Sequence, residues 1–307
     1  MVMDVMDLDP PPSHVVVCMD SKNSCAAGGG SQAPHPPLTW RHEVFPAYKA
    51  HRDPTPLVVA ESADHIQRML APMNIPCIRE MGIEADDCIA TVATRAAEAG
   101  MLVSIISLDS DYYQLLSPQV RMLKPPTRRT RDQSGGAGAG YLVPYTDEDF
   151  RAAFEGLDPA QWVDVQALKG DSSDNIPGVK GIGEKSALPL VREFGTVEEV
   201  LLRKGEVKDT RARNCLAKDG AEDAARLSKD LVKLRKAARY PSLEVPLEHL
   251  RWRHPSEEMA RKALGQLEAL EMGRTRDRLL DLWVDKLGMR VPEGVPVATV
   301  KRWSSPQ

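Results

Sequence analysis

The sequence has no cysteine framework. Its five cysteines (Cys18, Cys25, Cys77, Cys88 and Cys215) are scattered, with neither metal-ligand spacing nor paired spacing. This excludes a disulfide-stapled scaffold and a zinc ribbon, and it fits a reducing, intracellular compartment. No apolar run is long enough to span a bilayer, so no membrane association is expected. The opening stretch, Met1 to Pro10, is acidic and lacks arginine, unlike a secretory signal or a transit peptide. An excess of positive charge is also missing, since 40 Lys and Arg stand against 44 Asp and Glu, a formal net charge of −4. The distribution of charge carries more information than this total. With 307 residues, 42% hydrophobic and 27% charged, the chain is long enough for one sizeable core and a second, smaller unit.

What the chain does have is carboxylates in four separate clusters: Asp20, Glu84-Ala-Asp86-Asp87, Asp109-Ser-Asp111 and Asp171-Ser-Ser-Asp174. The first and third follow apolar runs that read as buried strands, His14 to Met19 and Leu102 to Ser107. In an open α/β sheet such strand ends converge on one crevice, where ligands bind. Carboxylates sharing a crevice repel one another, and loss of water makes the repulsion worse. Hard divalent cations with oxygen ligands, Mg²⁺ or Mn²⁺, relieve it. The pattern therefore points to a carboxylate-lined, divalent-metal site for phosphodiester chemistry. The plainer reading of any one cluster is a helix cap worth about 1 kcal/mol. Two strands ending in Asp together with Glu84-Ala-Asp86-Asp87 are harder to explain as caps alone.

Around these clusters the chain alternates between strand and helix patterns. Cys25 to Pro37 is rich in Gly and Pro and reads as a loop. Trp40 to Arg52 interleaves aromatic and basic residues. Ser62 to Leu70 reads as a helix and Ile75 to Arg79 as a short strand. Asp87 opens a helix with Ile89, Val92, Ala93 and Ala96 on one face and Gly100 as its stop. This alternation predicts a mostly parallel sheet with crossover helices. Gly135 to Gly140 reads as a loop insertion, Thr146 to Phe154 and Pro159 to Lys169 as helices, and Val291 to Gln307 as a tail. Glu257 to Glu271 has the spacing of a packing helix, and Pro189 is expected to kink its helix. Arg203 to Arg239 is rich in Lys and Arg and forms a basic rim. Lys124, Arg128 and Arg129 are better read as a solvated loop.

The most specific stretch is Gly170-Asp-Ser-Ser-Asp-Asn-Ile-Pro-Gly178-Val-Lys180-Gly181-Ile-Gly183-Glu-Lys185. Glycines around a short apolar turn ahead of a helix expose backbone N–H groups that grip phosphate, and Lys180 and Lys185 add charge. Such a turn alone is a weak signal. Joined to Asp171 and Asp174 it links a phosphate grip to metal ligation.

These motifs closely resemble the 5′→3′ exonuclease family, which includes the nuclease domain of bacterial DNA polymerase I, phage-type flap endonucleases and stand-alone plant homologues. The resemblance runs from His14 to about Leu279, and no polymerase domain is expected after it. It implies a PIN-like α/β fold, a mostly parallel sheet with flanking helices, plus a helix–hairpin–helix (helix–three-turn–helix) subdomain. The expected division is residues 14–160 for the catalytic part and 161–279 for the hairpin part, with 1–13 and 280–307 as tails. The resemblance also implies two Mg²⁺ or Mn²⁺ ions. Asp20, Glu84, Asp86 and Asp87 would serve one ion, and Asp109, Asp111, Asp171 and Asp174 the other. Lys49 would steady the scissile phosphate, Arg52 would steer the 5′ end and Tyr48 would offer a stacking face; without the resemblance, Tyr48 reads as ordinary packing and Lys49 and Arg52 as a solvated helix face. Gly178, Gly181 and Gly183, with Lys180 and Lys185, would hold duplex DNA by its backbone, with K⁺ at the hairpin. A polymerase is a candidate partner.

One departure stands out. The family begins with an apolar strand ending in Asp-Gly ahead of the segment equivalent to His14–Asp20, and only thirteen residues precede His14 here. One central strand and one metal carboxylate are therefore expected to be missing, as in a truncated form, and an N-terminal targeting segment for an organelle or the nucleus would have gone with them. The function implied is a structure-dependent DNA nuclease for flaps or RNA-primed 5′ ends in replication or repair. The alternative is a catalytically impaired protein that binds such DNA without turnover. A PIN-type RNase is disfavoured because the hairpin has no role there.

Overall fold

A computed structural model describes residues 2–21, 39–53, 56–125 and 142–290. The loops expected at Cys25–Pro37 and Gly135–Gly140, Arg128, Arg129 and the Val291–Gln307 tail lie outside the described residues. The chain forms two compact units, Met1–Met19 with Pro56–Arg79 and Glu244–Gln307, and Asp20–Thr55 with Glu80–Leu243.

The first unit contains helix α1 (Val2–Met6), strand β1 (Val17–Cys18), helix α3 (Leu57–Leu70) and strand β2 (Cys77–Ile78). Toward its end stand α11 (Glu257–Ala269) and α12 (Gly273–Asp281), the latter running into a π-helical turn at Leu282–Lys286. β1 and β2 pair in parallel, Val17 with Cys77 and Cys18 with Ile78. The strand expected over His14–Met19 thus shrinks to two residues. The reason is local: His14 forms an isolated antiparallel bridge with Arg251, and the Trp252 N–H donates to the Ser13 carbonyl at 3.0 Å. The start of the run is therefore drawn out of the β1 pairing. α11 has the packing role its spacing predicted, burying Ala260, Ala263, Leu264 and Leu267.

The second unit opens with the short helix α2 (Trp40–Val44). It continues with α4 (Ala85–Glu98), β3 (Val103–Ile106), β4 (Val120–Lys124) and β5 (Val143–Tyr145). β3 pairs with β4 in parallel and β4 with β5 antiparallel. α4 turns its small residues inward, Cys88, Ala90, Ala93 and Ala96 among them, which lets its backbone approach the sheet closely. The helices that follow are α5 (Asp147–Ala153), α6 (Trp162–Lys169), α7 (Glu184–Phe194), α8 (Val197–Leu202), α9 (Thr210–Leu216) and α10 (Ala221–Val232). The Thr146–Asp149 capping box starts α5. α6 is buried along nearly its whole length, and Val165, Ala167 and Leu168 are fully inside the core. Lys229 of α10 ties Asp164 of α6, at 2.7 Å, to Glu198 of α8, at 2.6 Å. α7 continues through Pro189, which is exposed, so its missing N–H leaves no buried orphan.

Between α6 and α7 the chain makes a hairpin that two glycines permit. Asp171 and Ile176 exchange backbone hydrogen bonds at 3.0 and 2.7 Å, and Val179 and Ile182 plug the turn into the core. Gly170 (φ 71°) and Gly178 (φ 57°) lie back to back in the left-handed half of backbone space. A Cβ on Gly170 would come within 2.6 Å of the Ile176 carbonyl oxygen, and one on Gly178 within 2.6 Å of the Lys169 carbonyl carbon. Neither site has room for a side chain, so Gly178→Ala is expected to lower stability by about 3 kcal/mol. At Gly100, also at positive φ but with nothing within 4 Å, alanine should cost about 1 kcal/mol. Urea unfolding of both variants measures the difference, and equal losses would contradict the close-approach argument.

Candidate active site

The helix α4 begins the site. Glu84 is its N-cap in extended backbone, Asp86 and Asp87 stand in its first turn, and Asp20 caps it from outside, accepting from the Ala85 N–H at 2.8 Å. Acidic side chains at a helix N-terminus are held there by the exposed N–H groups and the helix dipole. Beyond β3, Asp109 caps the 3₁₀ turn Ser110–Leu115 through Oδ1, which accepts from the Asp111 N–H at 2.9 Å. Asp171 turns the hairpin loop in the same way, accepting from the Ser173 N–H and hydroxyl at 2.7 Å. The capping role weighed from the sequence is thus real for Asp20, Asp109 and Asp171. It coexists with their convergence.

That convergence is read in the electrostatics of two members. Asp86 is largely buried, and its pKa is raised by burial and then by the charges of Asp20, Glu84 and Asp109, against the opposing hydrogen bond from the Tyr112 hydroxyl. Burial and the neighbouring charge of Asp109 push Asp111 up to about 7, with Asp86 and Asp171 adding to the effect and the hydrogen bond from Gln166 opposing it. Six of the predicted carboxylates, Asp20, Glu84, Asp86, Asp109, Asp111 and Asp171, therefore share one field. The hydrogen-bond partners of Asp86 and Asp111 are neutral, a phenol and a carboxamide.

A second group forms one edge. The turn after α2 brings Lys49 and Arg52 against the hairpin loop, where the Lys49 N–H donates to the Asp174 carbonyl at 2.9 Å and Arg52 Nε to the Ser173 carbonyl at 3.0 Å. Lys49 Nζ lies 3.0 Å from Glu84 Oε1 and 3.6 Å from Asp174 Oδ2, and Arg52 also pairs with Asp174. Lys49 adopts φ 53°, an uncommon conformation for a residue with a side chain. Asn175, also left-handed at φ 60°, clamps this turn by donating to the Ala47 carbonyl at 2.6 Å.

Two predicted residues stand elsewhere. Tyr48 was expected to present a stacking face, but only 3% of it is exposed, and its ring packs with Val163, Ile176, Leu231 and Val232. Its hydroxyl donates to Glu84 and Asp174 at 3.1 Å each. Burial and then the Glu84 charge hold its pKa far above the ordinary phenol value, so it stays a donor. Asp87, expected beside Glu84 as a metal ligand, is fully buried and paired to Arg41 at 2.8 Å. Sequence reasoning missed Arg41, Gln166 and Tyr112. Arg41 lay in the aromatic and basic stretch, and Gln166 one turn ahead of Gly170, but nothing in residue type or spacing marked either as buried.

The hairpin presents Lys180, Gly181, Gly183 and Lys185 to solvent, while Gly178 is buried in its fold. Gly183 is the N-cap of α7 and has no side chain to occupy the first N–H groups of that helix. Of the basic residues read as a solvated loop, Lys124 has a structural place, with Nζ donating to the Tyr113 hydroxyl at 2.8 Å and lying 3.6 Å from the Tyr145 ring centroid.

Among the described residues no three His, Cys, Asp or Glu side chains form a closed metal cage. The donor set still fits hard divalent ions, because it is all oxygen, partly buried at Asp86 and Asp111, and there bonded to a phenol and a carboxamide. Mg²⁺ usually keeps several waters and takes one or two carboxylates directly. Asp111 gives a test that needs no ion. Its folded-state pKa of about 7 exceeds the unfolded value, so its share of stability is full below about pH 4 and is lost as the pH rises toward 7. In chelator at pH 8, Asp111→Asn is expected to raise stability by about 1–3 kcal/mol, with little effect at pH 4. Scanning calorimetry at the two pH values checks this, and a loss of stability at pH 8 would contradict it.

Comparison with known proteins agrees with this architecture. Residues 1–138 match the 5′-3′ exonuclease N-terminal resolvase-like domain, and residues 157–258 match the 5′-3′ exonuclease C-terminal SAM fold. DNA polymerase I of Bacillus caldotenax is 37% identical over 238 residues, which are 78% of this chain and 24% of that protein. Thermostable DNA polymerase I of Thermus filiformis is 38% identical over 230 residues, 75% of this chain and 25% of that protein. The chain spans about a quarter of the length of these relatives. A structure of T5 5′-exonuclease with bound divalent zinc ions shares the fold, with a TM-score of 0.57 and 21% identity over 85% of this chain and 88% of that one. The PIN-like, resolvase-type α/β part and the helical SAM-like part are thus both present, and the chain belongs to the 5′-3′ exonuclease family.

Proposed function

We propose that this chain is a divalent-metal-dependent DNA nuclease that hydrolyses phosphodiesters at a 5′ end or a 5′ flap. The observation that carries this reading is the shared field of six carboxylates, with Asp86 and Asp111 partly buried, mutually repelling and, among the described residues, bonded to neutral donors. Membership of the family supports it, as do the basic edge at Lys49 and Arg52 and the exposed hairpin.

Asp20, Glu84, Asp86, Asp109, Asp111 and Asp171 are the residues to hold two Mg²⁺ or Mn²⁺ ions, with Asp174 on the Lys49 side. Such ions supply stabilisation of the negative charge that develops on the attacking and leaving oxygens of an in-line displacement. The protein does the rest. Lys49, held in a strained backbone with its ammonium between Glu84 and Asp174, offers a cation to a non-bridging phosphate oxygen. Arg52 has a half-exposed side chain, and its planar fork matches a 5′ phosphate. Tyr48 acts from behind, fixing Glu84 and Asp174 with one hydroxyl. The exposed N–H groups at the start of α7, with Lys180 and Lys185, hold the backbone of the duplex beside the cut and read no bases.

The test is cleavage of a 5′-labelled flap duplex. With Mg²⁺ the chain is expected to release short labelled products, and Asp109→Ala to slow release by at least about 100-fold. Lys180→Ala and Lys185→Ala are expected to weaken duplex binding uniformly across sequences, each lowering the salt slope by about 1. Salt-sensitive binding of the flap without any cleavage would reject the enzyme and leave the binding-only alternative.

A further inference from the structure

Arg41 and Asp87 form the most deeply buried ion pair among the described residues, with side-chain exposures of 3% and 0%. Asp87 Oδ2 accepts from Arg41 Nη1 at 2.8 Å and from Trp40 Nε1 at 3.0 Å. Its Oδ1 accepts from Arg41 Nη2 at 3.1 Å and from the Arg235 N–H at 2.8 Å. A carboxylate has about four lone-pair directions, and protein donors fill them all here. The same guanidinium reaches out of the pair in two directions. Nε donates to the Leu231 carbonyl at 2.8 Å, and Nη1 donates to Glu84 Oε2 at 3.1 Å. Glu84 Oε1 is left facing Lys49.

We propose that Arg41 is a positioning residue: neutralised by Asp87, it fixes the Glu84 carboxylate at the rim of the acidic group, and Asp87 is its counter-charge, not a metal ligand. This rests on the divalent-ion reading above. For Asp87 to ligate an ion it would have to release donors that keep Arg41 paired, and an unpaired buried guanidinium is strongly destabilising. A second cation beside Arg41 would also be repelled. Glu84 is less tightly held: Oε2 accepts from Arg41 and Tyr48, and Oε1 has the Lys49 ammonium as its partner, the one contact an ion would displace. Lysine cannot replace Arg41, since one ammonium on a flexible stem does not serve Glu84, Asp87 and Leu231 in a single plane. Nothing in this arrangement needs DNA, so it is testable on the chain alone.

Mn²⁺ binding to the full chain, measured by titration calorimetry without DNA, is the readout, with thermal unfolding in chelator alongside. Wild type is expected to take up Mn²⁺, and failure to do so overturns the divalent-ion reading and this proposal together. Arg41→Lys is expected to weaken Mn²⁺ binding about tenfold without changing the number of ions. In a Glu84→Gln background the same substitution should have no further effect, which a merely structural role would not produce. Asp87→Asn is expected to lower the unfolding temperature while changing Mn²⁺ affinity by less than about threefold. Should that variant not fold, the double replacement Arg41→Met with Asp87→Leu exchanges the pair for apolar side chains of similar size, which cores tolerate. It should show the same tenfold weakening as Arg41→Lys. Loss of a bound ion in Asp87→Asn would overturn the proposal. So would an equal Arg41→Lys effect in the Glu84→Gln background, or wild-type affinity in the double variant.

Discussion

Repulsion among carboxylates is the constraint on which the larger unit is built. Asp20, Glu84, Asp86, Asp109, Asp111 and Asp171 act on one another in a partly dehydrated space, and Asp111 is pushed up to about 7 as a result. A fold tolerates this only if each carboxylate is held in place by something local. Asp20 caps α4, Asp109 caps its own turn and Asp171 folds the hairpin loop. The remaining strain falls on Asp86 and Asp111, whose partners are a phenol and a carboxamide. Stability is given up at the point where a divalent ion would act, the usual arrangement of a site pre-organised for charge.

In the proposed function, the hairpin couples that field to a grip on DNA. Gly170 and Gly178 lie back to back, so the loop bearing Asp171 and Asp174 and the turn bearing Lys180, Gly181 and Gly183 are parts of one rigid element. Lys49 and Arg52 close on the same loop through Asp174 and the Ser173 carbonyl. Backbone grip, basic edge and acidic field are thereby connected through about a dozen residues. A duplex held by the turn would present its phosphates at a fixed offset from the carboxylates, which is how such a protein selects structure without reading sequence.

Much of this was legible in the sequence, and the failures have physical causes. α4 was readable because its small residues, its acidic first turn and Gly100 all agree on one helix. β3 followed from an apolar run broken by Ser104 alone, and the hairpin from its glycines, of which Gly178 has no room for a side chain. The strand at His14 was overestimated because an apolar run does not reveal which neighbour its backbone will pair with, and Ser13 and His14 pair with Arg251 and Trp252. The stacking face for Tyr48 came from the resemblance alone, whereas its residue type by itself favoured packing, the place it takes in the structure. The burial of Arg41 and Asp87 as a pair was hidden for a related cause. Charge in a sequence is presumed solvated or ligating, and a buried pair linking α2 to α4 leaves no periodic mark. Asp20 and Asp109 cap and also stand in the shared carboxylate field, so the two readings are not exclusive.

The most direct measurement of the central claim is anomalous X-ray scattering from crystals of the full chain soaked in Mn²⁺. The account predicts peaks among Asp20, Glu84, Asp86, Asp109, Asp111 and Asp171, with none in contact with Asp87. Crystals that bind no Mn²⁺ among these side chains, with the carboxylates neutralised by lysine or arginine instead, would contradict it.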